Sequence, residues 1–470
     1  MKVLLVRSNE LNSKFETNIT GIYPPLGLAY IASSLIASGY KPTILDNHIL
    51  RLRGSRLKAY LKKSDPDIVL LSSMTPSWQS IVSTSRFIKT VLPNVKIVAG
   101  GPQLTAYPKE SLLEESIDFG IYGEGELSTL DVVKAIERGS ELNDVKGSIY
   151  KKDGQVIINP PREEIDNLDS LPFPAIDLLP YRYYSALSVR SPFFTMVTSR
   201  GCPYKCGFCH QGYLGRYRAR SVENVINEME LLVNKYGVKE IITFDETFCI
   251  DKERALKICG MINKKKLRFG WDIRTRIDLI DKDLLQALKG AGCSRLHLGI
   301  ESGDQDTLDR MKKNITISDI IDKVNLAKNA GLEARGYFML GYPGETRKNM
   351  LKTINFARSL PLDWASFTVT IGLPGTEIYR TALEAGTFKY DYWREFTLGL
   401  TPGKRPYFTS DEFTEIDLFA LKREAYIKFY LRPLKMLTIL RGIGRSLNVP
   451  NFSYLVRGLP AIYNSMLRSG

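Results

Sequence analysis

Along the first 140 residues, short apolar runs alternate with stretches whose apolar positions recur every three or four residues. The runs are KVLLV (Lys2–Val6), KPTILD (Lys41–Asp46), DIVLLSS (Asp67–Ser73) and KIVAGG (Lys96–Gly101). Runs this short and continuous read as strands buried on both faces. PLGLAYIASSLIASG (Pro25–Gly39) between them has the spacing of an amphipathic helix. Such alternation predicts a doubly wound parallel sheet with ligands at the carboxyl ends of its strands. Those ends carry Ser72, Ser73, Thr75, Gly100, Gly101 and Gly123. Glycines there let backbone approach a large ligand, and they serve ordinary strand-to-helix turns equally well.

A second alternating series begins near residue 186. Its strands are predicted at Phe194–Ser199, Glu240–Phe244, Phe269–Arg274, Arg295–Ile300, Glu333–Leu340 and Trp364–Thr370, with helices such as Ser221–Gly237 between them. Six strand–helix units predict an α/β partial (β/α)6 barrel or a further open sheet, with function where the strands end. NLDSLPFPAIDLLP (Asn167–Pro180) is too rich in proline for a regular element. The expected organisation is therefore a doubly wound domain over residues 1–140, a linker over 141–185, the second strand–helix series over 186–390 and a mainly helical basic region over 391–470.

Composition narrows the class. Hydrophobic residues make 44% of the 470-residue chain and charged residues 25%, as in a water-soluble globular protein. No apolar run reaches the ~18 residues of a membrane span, and Arg7, Asn9 and Glu10 cut the first apolar run too short for a signal peptide. Six unevenly spaced cysteines fit a reducing cytoplasm. The net charge is +14, and Leu421–Gly470 holds nine Lys/Arg against one acid, Glu424. That excess fits a solvated basic face or peripheral membrane contact; no nucleic-acid-binding motif accompanies it.

Half of the cysteines stand in one loop. SRGCPYKCGFCHQ (Ser199–Gln211) places Cys202, Cys206 and Cys209 as C-x3-C-x2-C after the first strand of the second series. Three thiolates on one tight loop can hold three irons of a 4Fe–4S cubane and leave the fourth open. A structural zinc site needs four ligands, and Cys249, Cys259 and Cys293 are scattered. CGFCH (Cys206–His210) also matches the haem-attachment pattern C-x-x-C-H, which would leave Cys202 without a role.

CPYKCGFC resembles the cluster motif of the radical S-adenosylmethionine (SAM) enzymes, and residues 1–400 resemble their cobalamin-binding-domain subgroup, which implies a Rossmann-like (flavodoxin-like) cobalamin-binding domain over residues 1–140 and a partial (β/α)6 TIM-type barrel over 186–390. The resemblance implies a 4Fe–4S cluster on the three cysteines, SAM on its open iron, and reductive cleavage of SAM to a 5′-deoxyadenosyl radical that removes a substrate hydrogen. It implies SAM or substrate contacts from Asp245 and Glu246 in FDETF, from Glu301 and Ser302 in GIESG, from Arg335 and Gly341 around YFMLGYPGET, and from Pro374 in TIGLPGTEIY. Arg274 and Arg276 are weaker candidates, and Trp271 and His297 read as core residues. Tight turns and helix starts are the competing readings for these glycines, prolines and Ser302.

The resemblance also implies cobalamin, with contacts from Ser72, Thr75, Gly100, Gly101 and Gly123. DNHILR (Asp46–Arg51) departs from the cobalt-ligating D-x-H-x-x-G pattern, with Arg51 in place of glycine and a different strand before it, so His48 is not assigned to cobalt. Gln103 stands where relatives often carry histidine, which leaves open a domain that keeps the fold and binds cobalamin weakly. The implied activity is methylation of an unactivated carbon. The alternative is a cyclase, ring-modifying oxidoreductase or dehydratase without methyl transfer, on a lipid, tetrapyrrole or antibiotic-type substrate. The expected partners are a small-molecule or lipid-like substrate and a reductant such as flavodoxin or ferredoxin; a non-catalytic iron–sulfur electron carrier is the reading from another class.

Overall fold

Continuous Val/Ile/Leu runs pair side by side only where both faces are covered, and the chain uses this twice. The computed structural model describes residues 1–8, 21–186, 188–210, 215–400 and 403–432. In chain order the strands are β1 (Val3–Arg7), β2 (Gly21–Ile22), β3 (Thr43–Asp46), β4 (Ile68–Ser72), β5 (Lys96–Gly100), β6 (Phe119–Ile121), β7 (Ser148–Lys152) and β8 (Gln155–Ile158). There follow β9 (Ser185–Ala186), β10 (Phe193–Met196), β11 (Ser199–Arg200), β12 (Arg218–Ala219), β13 (Glu240–Thr243), β14 (Gly270–Arg276), β15 (Cys293–Glu301), β16 (Glu333–Leu340) and β17 (Trp364–Val369). The chain divides into two compact units: 1–18 with 24–183 and 389–403, and 19–23 with 184–388 and 404–470.

The first unit is built on a sheet of order β3-β1-β4-β5-β6-β7-β8. Its first five members are parallel, and β7 and β8 continue it antiparallel. Leu4, Val6, Val69, Leu71, Ile97 and Ala99 share one core with Trp78, Ile81 and Ile88 of the helix Trp78–Val91. At about 1.5–3 kcal/mol for each large apolar side chain removed from water, this face outweighs the loss of χ1 freedom in its residues. Two expectations need correction. The segment expected as a linker begins with the β7–β8 hairpin, because Gly154 at φ 75° closes a tight turn between two short strands. Its proline-rich part has no regular structure beyond single 3-10 turns.

The second correction concerns the C-terminal region, which does not form one helical unit. The helix Tyr392–Thr397 belongs to the first unit. There the Thr397 carbonyl accepts the Trp78 indole N–H at 3.1 Å and the Tyr107 hydroxyl donates to Asp391 at 2.7 Å. The helix Glu415–Tyr430 packs on β17, with the Tyr430 hydroxyl donating to the Ala365 carbonyl at 2.7 Å. Residues 433–470, with most of the basic tail, lie outside the described residues. Among the described residues no helix is long and apolar enough to cross a membrane.

The second unit is a six-stranded, wholly parallel sheet in the sequential order β10-β13-β14-β15-β16-β17, the wall of a partial barrel. Its outer face is apolar: Trp271, Ile273, Leu296, Leu298, Phe338 and Phe367 are buried. The inner face alternates with it and is polar, carrying Asp272, Arg274, Arg276, Arg295, His297, Arg335 and Tyr337. Trp78 fills the first unit's core with no exposed surface. Trp78→Ala is expected to lower that unit's stability by about 3–5 kcal/mol, read as a lower urea midpoint in the transition of the first unit.

Candidate active site

The cysteine loop is held by backbone hydrogen bonds to two helices of the partial barrel. Gly207 N–H donates to the Met311 carbonyl at 3.1 Å, and the Ile378 N–H donates to the Gly207 carbonyl at 3.2 Å. A Cβ on Gly207 would stand 2.8 Å from the Tyr342 hydroxyl, so only glycine lets the loop lie this close. The loop after β17 closes over it from the other side. His210 forms a β-bridge with Thr376, and Gly375, at φ 77°, leaves no room for a Cβ beside the His210 ring. Pro374 is buried in that loop. His210 is thus a neighbour of the cysteines with a seat of its own.

Three thiolates on one loop would concentrate negative charge, and two cations stand where they can answer it. Arg276 sends Nη1 to the Cys206 sulfur at 3.7 Å and stacks over the Tyr204 ring at 3.9 Å. Its other nitrogens bond Asp278 and the Lys313 carbonyl. The Lys313 ammonium pairs with Glu301 at 3.0 Å and lies 5.9 Å over the Phe208 ring. The hydrogen bond from Cys209 is the largest influence on the Cys206 thiol; with Lys313 and Arg276 it overcomes burial and lowers the thiol to about 6. Cys209, as the donor, is pushed up. All six cysteines are free. Among the described residues no three His, Cys, Asp or Glu side chains are gathered closely enough for one metal ion. A cluster asks for something else: thiols that each reach a separate iron, which a loop of three cysteines with cations behind it supplies.

Of the other residues expected at the site, Glu301 and Glu246 stand with the loop. Glu301 follows a register shift in the β15–β16 pairing and sits at φ 70°, an uncommon conformation for a residue other than glycine. Glu246 is exposed at the mouth of the partial barrel; its recess and the neighbouring Asp245 raise its carboxyl to about 7, against backbone hydrogen bonds that include Gly201. Asp245 does not face a ligand. It is wholly buried, and its oxygens accept from the Thr198 N–H at 2.6 Å, the Thr198 hydroxyl at 2.5 Å and the Ser199 hydroxyl at 2.7 Å. It positions the chain that enters the cysteine loop.

Three further expectations are corrected. Ser302 is buried at a helix start, sharing its hydroxyl with Thr353 and accepting from Asp304 N–H. Arg335 is paired with Glu333 at 2.7 Å instead of reaching toward the loop. Gly341, at φ 78°, is there for packing, since a Cβ would meet Leu418 at 2.7 Å. Lys313 was missed, because nothing in the MKKN stretch of sequence distinguishes it from a surface lysine.

In the first unit, Gly101 at φ 93° closes the β5 turn against Ser72 and Ser73; a Cβ would stand 2.9 Å from the Ser72 hydroxyl and 2.8 Å from the Ser73 carbonyl. Thr75 is buried in the turn after β4, beside the exposed Met74. Gly100 has ordinary neighbours, and Gly123 at φ 76° opens onto free space after β6. Open space at the Gly123 turn and an exposed thioether at Met74 leave the strand ends uncovered, as a large ligand such as cobalamin requires. Gln103 does not take part: it is buried, with its amide donating to Ser111 and Thr397. His48 is wholly buried as well, with both ring nitrogens lacking a hydrogen-bond partner, and burial followed by Arg7 and Arg51 lowers it to about 4.

Removing one partner of the buried Lys313–Glu301 pair leaves a charge stranded. Lys313→Met is expected to cost about 3–5 kcal/mol of stability, recovered in part by adding Glu301→Gln, as measured by denaturation of the cluster-free protein. Gly207→Ala should lower the iron held per chain, and Tyr342→Phe in the same chain should restore it, because the colliding hydroxyl is then gone.

The comparisons with known proteins agree with both halves. The family profile described as Radical SAM superfamily matches residues 196–357, and that described as B12 binding domain matches residues 16–133. The chain is 38% identical to the uncharacterized methyltransferase PH0819 of Pyrococcus horikoshii, over 92% of this chain and 93% of the relative. It is 30% identical to the anaerobic magnesium-protoporphyrin IX monomethyl ester cyclase of Rubrivivax gelatinosus, over 81% of this chain and 70% of the relative. The fold is shared with the radical SAM methyltransferase TsrM of Kitasatospora setae, at TM-score 0.69 and 19% identity over 82% of this chain and 77% of that one. It is shared also with the cobalamin-dependent radical enzyme OxsB, at TM-score 0.71 and 17% identity over 94% of this chain and 71% of that one. The chain belongs to the radical SAM superfamily, in the subgroup that carries an N-terminal B12-binding domain.

Proposed function

We propose that this protein is a cobalamin-dependent radical SAM methyltransferase acting on a small molecule. The observation that carries the reading is the loop of Cys202, Cys206 and Cys209 backed by Arg276 and Lys313, in a chain 38% identical over nearly its whole length to a protein described as a methyltransferase. When bound, the cluster supplies the electron that cleaves SAM, and cobalamin supplies the methyl group.

The chain's own residues do the remaining work. Cys202, Cys206 and Cys209 hold the cluster, and Arg276 and Lys313 offset its negative charge. Glu246 presents an acceptor at the barrel mouth that is mixed between acid and carboxylate near pH 7, suited to a hydroxyl or ammonium of SAM. Asp245, through Thr198 and Ser199, fixes the direction in which the loop leaves β10. Ser72, Thr75, Gly101 and Gly123 line the strand ends that would hold cobalamin. A one-electron donor such as a flavodoxin or ferredoxin completes the cycle.

A cyclase without methyl transfer is the second reading, favoured by the 30% identity to the cyclase of Rubrivivax gelatinosus. Anaerobic reconstitution should give about four irons per chain and a broad band near 400 nm, lost in Cys202→Ala, Cys206→Ala or Cys209→Ala. Protein made with cobalamin should carry cobalt. With SAM and a reductant, it should form both 5′-deoxyadenosine and S-adenosylhomocysteine. The cyclase reading predicts the first nucleoside alone, and absence of both would refute the assignment.

A further inference from the structure

A buried carboxylate, an imidazole and a phenol form one hydrogen-bonded line on the inner face of the partial barrel. Asp272 of β14 is 1% exposed, His297 of β15 is 8% exposed and Tyr337 of β16 is 37% exposed, so the line runs from the wall to open space. His297 Nε2 lies 3.2 Å from Asp272 Oδ2, and Nδ1 lies 2.6 Å from the Tyr337 hydroxyl. In the strand register His297 stands diagonal to each partner, since Arg274 pairs with His297 and Gly299 pairs with Tyr337. Gly299 pairs also with Arg276, whose guanidinium touches Cys206. The open end of the line is therefore level with the residue behind the cysteine loop.

The chemistry of the three groups sets the direction of proton movement. A carboxylate only accepts, so Nε2 carries the hydrogen toward Asp272. Nδ1 of the neutral ring is then an acceptor, and the Tyr337 hydroxyl donates to it. Asp272 is held ionised: burial works against it, but His297, Arg295 at 3.1 Å and Arg274 together keep its carboxyl well below the usual range. Burial, more than any other influence, lowers His297, with Arg335 and Arg274 acting in the same sense and Asp272 opposing. Burial raises the Tyr337 phenol while Arg274 and Arg335 oppose it. The other charged groups on this face are spoken for. Arg295 is paired with Glu240 as well as Asp272, and Arg335 with Glu333; Arg274 stacks on Phe244 and donates to the Thr243 carbonyl. Tyr23 adds a further phenol near Asp272 and Arg274. The resting line has room for one proton and none to give.

We propose that Asp272, His297 and Tyr337 are a proton relay, and that Tyr337 removes a proton from a weakly acidic O–H or N–H of the substrate bound inside the barrel. The roles are those of an Asp–His–hydroxyl triad, recognised by geometry, with a phenol as the terminal member. It rests on the reading of the protein as a radical SAM enzyme only in placing a substrate there. In the step, the substrate X–H bond breaks and its proton passes to the Tyr337 oxygen. The phenol proton passes to His297 Nδ1, and the electron pair stays on the substrate. The imidazolium so formed is stabilised by Asp272, and no oxidant or reductant is needed.

The relay can be tested without a substrate, because it makes Tyr337 a nucleophile. Full-length protein, kept free of oxygen and without SAM, is treated with an arylsulfonyl fluoride. This reagent captures a phenol oxygen as a sulfonate ester and releases fluoride, while the phenol's proton goes to the base. Labelled tyrosines are located and timed by peptide mass spectrometry, with Tyr183, which is 64% exposed, as internal reference. Tyr337 is expected to react at least about tenfold faster than Tyr183 at pH 7. Its rate should stay flat between about pH 9 and 7 and fall below the usual histidine range, when His297 is already protonated. His297→Gln should cut the rate about tenfold or more with the iron content per chain unchanged. A Tyr337 rate that climbs tenfold per pH unit alongside Tyr183, or no labelling of Tyr337, would overturn the relay, and either result comes from the unaltered chain. Failure of the methyltransferase reading would show instead in the nucleoside products, which this measurement does not use.

Discussion

Three sulfur donors packed into eight residues are a concentration of negative charge, and the site exists only where that charge is answered from behind. Arg276 and Lys313 do so from different elements, and each is fixed by a carboxylate of its own, Asp278 and Glu301. The Arg276 guanidinium also bonds the Lys313 carbonyl, so the two cations are tied together as well as to the loop. Everything else at the mouth follows from keeping this arrangement still. Gly207 admits the loop under Tyr342, Gly375 admits His210, and Asp245 anchors the chain at its entry.

The partial barrel makes this possible by inverting the usual arrangement of a sheet in a core. Its outer face takes the apolar side chains, and the inner face holds charge that is paired on the same face: Glu240 with Arg295, Arg295 with Asp272, Arg335 with Glu333. Isolated charges would be intolerable there; Arg295 reaches Asp272 on the adjacent strand and Glu240 one strand further, while Arg335 and Glu333 pair within β16. Paired in register, they fix the alignment of strands, since a slip of one residue would put each of them among the apolar helices outside.

The alternation of short apolar runs with helical stretches carries both sheets, and each predicted strand lies within a residue or two of an observed one because burial on two faces leaves a simple pattern. The cysteine loop is equally legible, its spacing being its chemistry. What the sequence does not display is pairing across strands. Nothing near Asp272 announces His297, 25 residues on, and nothing near Lys313 announces that its ammonium turns inward; register decides both. Ser302, Arg335 and Asp245 mislead for the same reason, since polar residues at strand ends serve caps and ion pairs as readily as ligands. The β7–β8 hairpin is hard to read because its strands are only four or five residues long and show no regular alternation of buried and exposed positions.

The return of residues 389–403 to the first unit has a consequence for how the chain reaches its native state on the ribosome. The indole nitrogen of Trp78 and the amide of Gln103 wait for Thr397, some three hundred residues further along the nascent polypeptide. During synthesis the first unit therefore lacks these two contacts for the entire period in which the second is being made, although Gln103 keeps its bond to Ser111. Its completion waits until the barrel strands have been made, so the two units cannot mature strictly in the order of the chain.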